Sequence, residues 1–468
     1  MKKRNKIIIR LVSTLAVMLC VTGVTHIQAK NVYAKKTITM TTKSIPSEIK
    51  KYSNYNKYTK YTVAFNYYMK QLEKAGGGKF IIKKGTYEMS NSVYIPSNVQ
   101  VVLKNGVVLK NIYQTGGAGY PPSNNVFSLC PPSKSKIKGS CKKVSGAKNI
   151  SITGKGNATI DNNFVEGGGT IVISHNKNVK VSGITFKNQN GGHFLEITGV
   201  EKVVIENCTF KGSKASTRAK NYMKEAINLD TPDPETHGLN AVWVAQDRTD
   251  NKNITITNNV FDGVTRGVGT HKYSQKNGEN VYHENVVITN NTFKNIFDNG
   301  VFILNWKNAT IENNTFNKIG LKSKKAYSSG AHAISGGGIE GIHVKNNTFS
   351  NVKRNPIYFC VQQNVGSASS YSKVKTNITK EQTEEMLTNT VSNCGYDMNV
   401  IFKGYDILYF RGNSERTREN AVAINLKKQE ISSEFIKFHE LRPVQRYPQL
   451  FVFGSQRIVM KSIKIKRF

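Results

Sequence analysis

Apolar and polar residues alternate with a period of two through much of this chain, in short runs that close on nearly the same letters. The runs read VVIENCTF at Val203–Phe210, ITITNNVF at Ile254–Phe261, VVITNNTF at Val286–Phe293, ATIENNTF at Ala309–Phe316 and IHVKNNTF at Ile342–Phe349. A looser copy, VKVSGITF, sits at Val179–Phe186. Such alternation predicts strands with one buried face. The Asn pair ending most runs is a turn signal, because Asn tolerates left-handed backbone. The closing phenylalanines lie 24, 51, 32, 23 and 33 residues apart. The shortest steps set the basic period, and the longer ones are the same unit carrying a loop. A period near 23 residues with β-branched strands and no helix-length segment predicts an all-β stacked array, a parallel β-helix.

In such a solenoid equivalent residues stack from coil to coil. Asn259, Asn291, Asn314 and Asn347 share one register and are expected to form an asparagine ladder, with Cys208 in the same register. Phe210, Phe261, Phe293, Phe316 and Phe349 are expected to stack in the core. Upstream, residues 61–75 (YTVAFNYYMKQLEKA) carry helical apolar spacing and stop at Gly76-Gly77-Gly78, which suits a glycine C-cap. Strand-like runs follow at Lys79–Ile82, Ser92–Ile95, Gln100–Leu103 and Val107–Leu109. Residues 35–60, rich in Lys, Ser, Thr and Tyr, read as a flexible lead-in. Within 366–395, Thr379 followed by Gln382 fits a capping box and a short helix. Residues 396–468 lose the repeat and form an irregular C-terminal extension of unknown role: a cap, a wall-binding module or a shifted reading frame.

The helix followed by GGGKFIIKKGTYEMSNSVYIPSNVQVVLKNGVVLK, then SLCPPSKSK, NISITGKGNATID and the repeats, resembles the pectate-lyase-like superfamily over residues 60–365. That resemblance implies a right-handed parallel β-helix whose N-terminal helix shields the open end of the solenoid. It implies residues 61–365 as the capped solenoid, but does not fix a reaction.

Composition narrows the setting. Lys2, Lys3, Arg4, Lys6 and Arg10 precede a largely apolar Leu11–Val24, and Val32-Tyr33-Ala34 fits a small-residue cleavage site, so residues 1–34 read as a signal peptide. Release is expected rather than lipid anchoring, with a secreted or wall-associated monomer. No later stretch is long and apolar enough to span a membrane. The formal charge is +37, an excess that draws polyanions over long range. Outside a cell those are acidic polysaccharides, other cell-wall polymers or anionic lipid surfaces. Nucleic acid is not expected, since no binding motif accompanies the signal segment. Six cysteines are present. Cys130 and Cys141 flank one loop and could pair; no Cys/His metal pattern occurs.

Aligning the coils places Thr170–Ser174, His193–Thr198, Glu225–Asp230, Gly267–His271, Gly300–Leu304, Gly330–Ser335 and Pro356–Val361 on one sheet. With Leu195, Ile197, Ile227, Leu229, Val301 and Ile303 inward, the outward face of neighbouring coils gathers His193, Glu196, Glu225, Asn228, Asp230, Arg266 and His271. Acids beside histidines and an arginine make an active-site inventory. A glycosidase needs one carboxyl as proton donor and another to activate water or attack carbon. Glu225 and Asp230, with Glu196 and assisted by His271, are the acid/base candidates. A lyase needs a base and a cation beside the developing enolate, for which His193, His271 and Arg266 are available. His193, Asn228 and Arg266 are expected to bind or orient substrate. Trp243, in the insertion Thr231–Asn253, is a sugar platform or a loop anchor, and Trp306 invites the same two readings. No cofactor is assured; the clustered acids could hold Ca²⁺, but Glu196, Asn228 and Asp230 are too few to define a site.

GGHFLEITG, EAINLDTPD and GVGTHKY resemble secreted bacterial β-helix proteins related to pectate lyases and polygalacturonase-like glycosidases. The polygalacturonase pattern of paired aspartates, Gly-His-Gly and Arg-x-Lys is absent as written; Asp230 and His271 are its nearest positional equivalents. The resemblance implies a carbohydrate-acting protein, with cleavage of a uronate-containing polysaccharide as the leading expectation. A non-catalytic adhesive protein and a uronate epimerase are the alternatives.

Overall fold

The computed structural model describes residues 36–214, 224–321, 331–354 and 356–360, parts of 371–394, and beyond 402 only the backbone of short strands. The expected signal segment 1–34 and most of the C-terminal extension lie outside the described residues.

The repeats form a right-handed parallel β-helix with three faces. The strands that carry the site are β3 (Ile171–Ser174), β4 (Leu195–Thr198), β5 (Glu225–Asp230), β6 (Arg266–Gly269), β7 (Val301–Glu312), β8 (Ile334–Lys345) and β9 (Ile357–Cys360). They pair in parallel and in register, Leu195 opposite Ile227 and Val268 opposite Val301. The repeat runs supply the second face, through Lys177–Ser182, Glu201–Glu206, Lys252–Thr257 and His283–Thr289. Their closing Thr-Phe pairs start the strands of the third.

The turn between these two faces explains the Asn pairs. The first Asn of each pair (Asn258, Asn290, Asn313, Asn346) takes the left-handed backbone, with φ between 55° and 56°. That reversal sends the second Asn inward. Asn291 Oδ1 accepts the Asn259 backbone N–H at 2.9 Å, Asn314 Oδ1 that of Asn291 at 2.9 Å, and Asn347 Oδ1 that of Asn314 at 2.9 Å. Cys208 enters the ladder above Asn259, and Asn389 extends it beyond the last repeat. Behind it the rings of Phe186, Phe210, Phe261, Phe293, Phe316 and Phe349 stack with centroids 4.6–5.1 Å apart.

Helix α1 (Lys60–Lys74) plugs the N-terminal end, with Phe65 edge-on to Phe80 at 5.1 Å. Gly76 ends it at φ +75°, and the Gly77 N–H reaches back to the Leu72 carbonyl at 2.8 Å, a Schellman closure. Residues 36–60 of the lead-in are ordered, contrary to the expectation of flexibility. Strand β1 (Thr37–Met40) pairs with β2 (Gly78–Ile82), and Ile38, Met40 and Ile49 are buried. A few inward apolar residues suffice to dock an edge strand, and a polar average hides them. The Thr379–Gln382 capping box forms in both directions, at 3.1 and 3.2 Å, ahead of a 3-10 turn at Met386–Thr388.

Trp306 corrects the expected register. Alternation from Val301 holds only to Asn305, which takes φ +54°. The left-handed residue resets which side faces in, so Trp306 lies wholly within the core with its indole N–H donating to Thr270 Oγ1 at 2.7 Å. It offers no platform to a ligand.

Candidate active site

Alternation in β4 and β5 points Leu195, Ile197, Ile227 and Leu229 into the core and leaves Glu196, Thr198, Asn228 and Asp230 on the outward side. Parallel pairing then sets Glu196 beside Asn228, Thr198 beside Asp230 and Glu225 beside Arg266. Adjacent coils are about 4.8 Å apart, so these side chains touch.

The outward face is closed off from solvent here. Glu196, Glu225, Asn228, Asp230 and Arg266 are all buried, because two insertions, Thr231–Asn253 and Lys272–Glu284, fold over them. In the first, a side chain on Gly238 would meet the Thr231 carbonyl at 2.4 Å and Asp230 Cβ at 3.2 Å; only glycine lets the insertion lie this close. Asp233 knots the two insertions together. It accepts from Arg248 Nε at 3.2 Å, Tyr371 Oη at 2.7 Å and the Ser274 hydroxyl. Burial opposes its ionisation, but the bonds from Ser274 and Tyr371 prevail and hold it below the usual aspartate range. Trp243 belongs to this cover. It packs with Cys130, Cys141, Val172 and Val244, so of its two readings the loop anchor is the one the structure shows.

Glu225 is fully buried and binds Arg266 Nη1 at 2.8 Å, while Arg266 Nε binds Asp298 Oδ2 at 2.6 Å. The guanidinium lies over the Phe302 ring, 4.0 Å from its centroid. Burial would raise the Glu225 carboxyl, but Arg266 outweighs it and brings it down to about 2. Oε2 of Glu225 has no hydrogen-bond partner among the described residues and faces Nδ1 of His193 and of His271, each at 3.7 Å.

The histidines are neutral near pH 7: burial pulls His193 down to about 4 and His271 to about 3. Their contacts set the tautomers. His193 Nδ1 donates to the Glu225 carbonyl at 2.7 Å. Its Nε2 is therefore a lone pair, 3.7 Å from Glu196 Oε2. His271 Nε2 accepts from Lys224 Nζ at 3.0 Å, so its proton sits on Nδ1, toward Glu225.

The other two acids behave oppositely to Glu225. Burial, reinforced by the charge of Asp230, pushes Glu196 well above the usual range, and Asn228 Nδ2 bridges both its oxygens at 3.0 and 3.1 Å. Burial raises Asp230 to about 6, even though its Oδ1 accepts the backbone N–H groups of His271 and Lys272, each at 2.9 Å. Two buried carboxyls on adjacent strands, both raised, form an arrangement that can donate at one atom and accept at another.

All seven polar residues expected on this face thus meet in one cluster, while Trp243 and Trp306 stand outside it. Lys224 was not foreseen: a single lysine among many carries no signal. Phe302 was legible, since alternation puts it outward where a phenylalanine needs a partner, here Arg266. Among the described residues no group of three or more His, Cys, Asp or Glu side chains is placed to hold a metal ion.

The description of a right-handed beta helix region matches residues 91–349, more than half of the chain. The chain belongs to that family. It is similar to the plasmin and fibronectin-binding protein A of Streptococcus pneumoniae (strain ATCC BAA-255 / R6), at 26% identity over 262 residues, 52% of this chain and 35% of the relative. The chain therefore spans about a third of that relative's length. Two crystal structures of PfbA, a surface adhesin of Streptococcus pneumoniae, superpose with TM-scores of 0.50 and 0.51 at 20% identity. They cover 71% and 72% of this chain, and 74% and 82% of theirs. Likeness at that identity shows the shared β-helix. No helix among the described residues is long and apolar enough to cross a membrane.

Proposed function

We propose that this chain is an exported, carbohydrate-active β-helix protein that hydrolyses an anionic polysaccharide on the outward face of β4 to β6. The observation that carries this reading is the buried Glu196–Asp230 pair on adjacent strands, whose carboxyls are both raised while Glu225 beside them is held ionised by Arg266. On this reading Glu196, raised well above the usual range, is the proton donor and Asp230 is its ionised partner. Glu196 then protonates the leaving glycosidic oxygen, and Asp230 activates water or attacks the anomeric carbon. His193, its Nε2 lone pair turned to Glu196, returns the proton between turnovers. Glu225 holds Arg266 and the two imidazoles in place; it is a positioning group and not the proton donor.

Hydrolysis is favoured over lyase or epimerase chemistry by Arg266. Either of those routes wants a cation beside the developing enolate, and Arg266 is already held by Glu225, Asp298 and Phe302.

A second reading follows from the relative, a protein named for binding plasmin and fibronectin and described as a surface adhesin. On that reading the chain is a surface-located binding protein whose excess positive charge meets polyanionic partners. One experiment separates the two. The purified mature chain is incubated with uronate-containing and neutral polysaccharides while reducing ends and near-ultraviolet absorbance are followed together. Hydrolysis gives reducing ends alone, and Glu196→Gln lowers the rate by at least about 100-fold without changing the melting temperature. Absorbance at the new ends would replace the hydrolase with a lyase. Tight, salt-sensitive binding with no product would leave the adhesive reading.

A further inference from the structure

We propose that Cys130 and Cys141 form a disulfide that rivets the cover of the active face to the solenoid. Cys130 closes the short strand Phe127–Ser128, whose residues pair with Ile171 and Val172 of β3; it is part of the rigid wall. Cys141 lies across a ten-residue excursion, on the edge that carries the first insertion. Its backbone N–H donates to the Trp243 carbonyl at 2.9 Å, and its own carbonyl accepts from Ala245 at 2.9 Å. Gly139 adds a third rung to Val242, and Lys143 N–H reaches Asp247 Oδ2 at 2.7 Å. The excursion and the insertion Thr231–Asn253 are therefore one layer, and that layer lies against Asp230 through Gly238.

The two sulfurs stand 3.9 Å apart, both fully buried among Val172, Trp243 and Val244. Cys130 Sγ also donates to the carbonyl of its chain neighbour Pro131, at 3.5 Å. Bond formation takes the sulfurs from 3.9 Å to about 2.05 Å. The contact also sorts the pair chemically: the hydrogen bond from Cys130 lowers the Cys141 thiol to about 7, and the same bond with burial raises Cys130. In the docked pair Cys141 is thus the more readily ionised thiol.

The reaction is thiol–disulfide exchange with an external disulfide, before the insertion docks and buries the pair. The Cys141 thiolate attacks one sulfur of that disulfide and expels the other as a thiolate. Cys130 then attacks Cys141 Sγ and expels the second. Two electrons pass to the external disulfide, which becomes two thiols, and the two cysteines give up their protons. Cys208 and Cys394 are buried elsewhere in the core and serve as internal controls.

The test uses the full mature chain refolded with a mixture of oxidised and reduced glutathione, then alkylated under denaturing conditions and digested without reductant. The expected result is one linked peptide pair joining Cys130 to Cys141, with Cys208 and Cys394 alkylated. Alkylation of both Cys130 and Cys141 in the oxidising mixture, or their pairing with other cysteines, would overturn the assignment. The rivet is tested on the same wild-type chain by limited proteolysis. Cleavage within 131–147 and 231–253 is expected to be at least about 10-fold slower in the oxidised than in the reduced form. Equal rates would overturn the role, and a Cys130→Ala/Cys141→Ala chain should show no redox dependence. The result does not depend on whether the face beneath is catalytic.

Discussion

Three carboxyls within one cluster differ in charge state because each has a different neighbour. Glu225 faces a guanidinium and stays ionised; Glu196 and Asp230, buried on adjacent strands, are raised, burial being the first cause for each. This has a consequence for stability. Asp230 titrates near 6 in the folded chain against an ordinary value of 3.8, so between those values the folded state binds a proton the unfolded state lacks. Its contribution to stability is present below that window and lost as pH rises through it. Asn mimics the protonated acid and can still accept from His271 and Lys272. Asp230→Asn should therefore gain on the wild type by up to about 3 kcal/mol between pH 4 and pH 7, read as the difference of two denaturation curves. A difference that stays flat with pH would show that Asp230 is not perturbed. The sign reverses at Arg266. Arg266→Met leaves Glu225 and Asp298 buried without their cation and should cost roughly 3–5 kcal/mol; a loss under 1 kcal/mol in urea titration would mean the triad is not desolvated.

The elements derive their order from the asparagine ladder. Asn291 donates to the Ile256 and Thr289 carbonyls at 2.9 Å each and accepts from the Asn259 backbone. None of these groups can reach water if the side chain is cut back. Asn291→Ala is expected to lose on the order of 1–3 kcal/mol, more than a surface alanine would, and an unchanged melting temperature would refute the ladder's energetic role. The ladder could be read in advance because it repeats at matched positions. The placement of Trp306 could not, because it turns on one left-handed residue, Asn305, that resembles every other Asn in the chain.

The described solenoid is a quasi-one-dimensional stack, plugged by α1 at one end and roofed on one face by its own insertions. Its formal charge of +37 acts at this scale. Retention on an immobilised anionic polysaccharide should weaken steeply as salt is raised from 0.05 to 0.5 M (roughly 14 to 4 Å of Debye length). Retention indifferent to salt would place recognition in the groove rather than in the field of the whole surface.

Local pattern alone determined the strands, the coil period, the phenylalanine stack and the common register of His193, Glu196, Glu225, Asn228, Asp230, Arg266 and His271, because a parallel solenoid converts spacing along the chain directly into neighbours in space. It could not tell which of the acids keeps its proton. That depends on what lies above the face: the insertions exclude water, Arg266 compensates Glu225 but not Glu196, and Lys224 arrives beside His271 from a segment with no repeat. Burial and charge balance are properties of the assembled cover, and only the tertiary structure decides them.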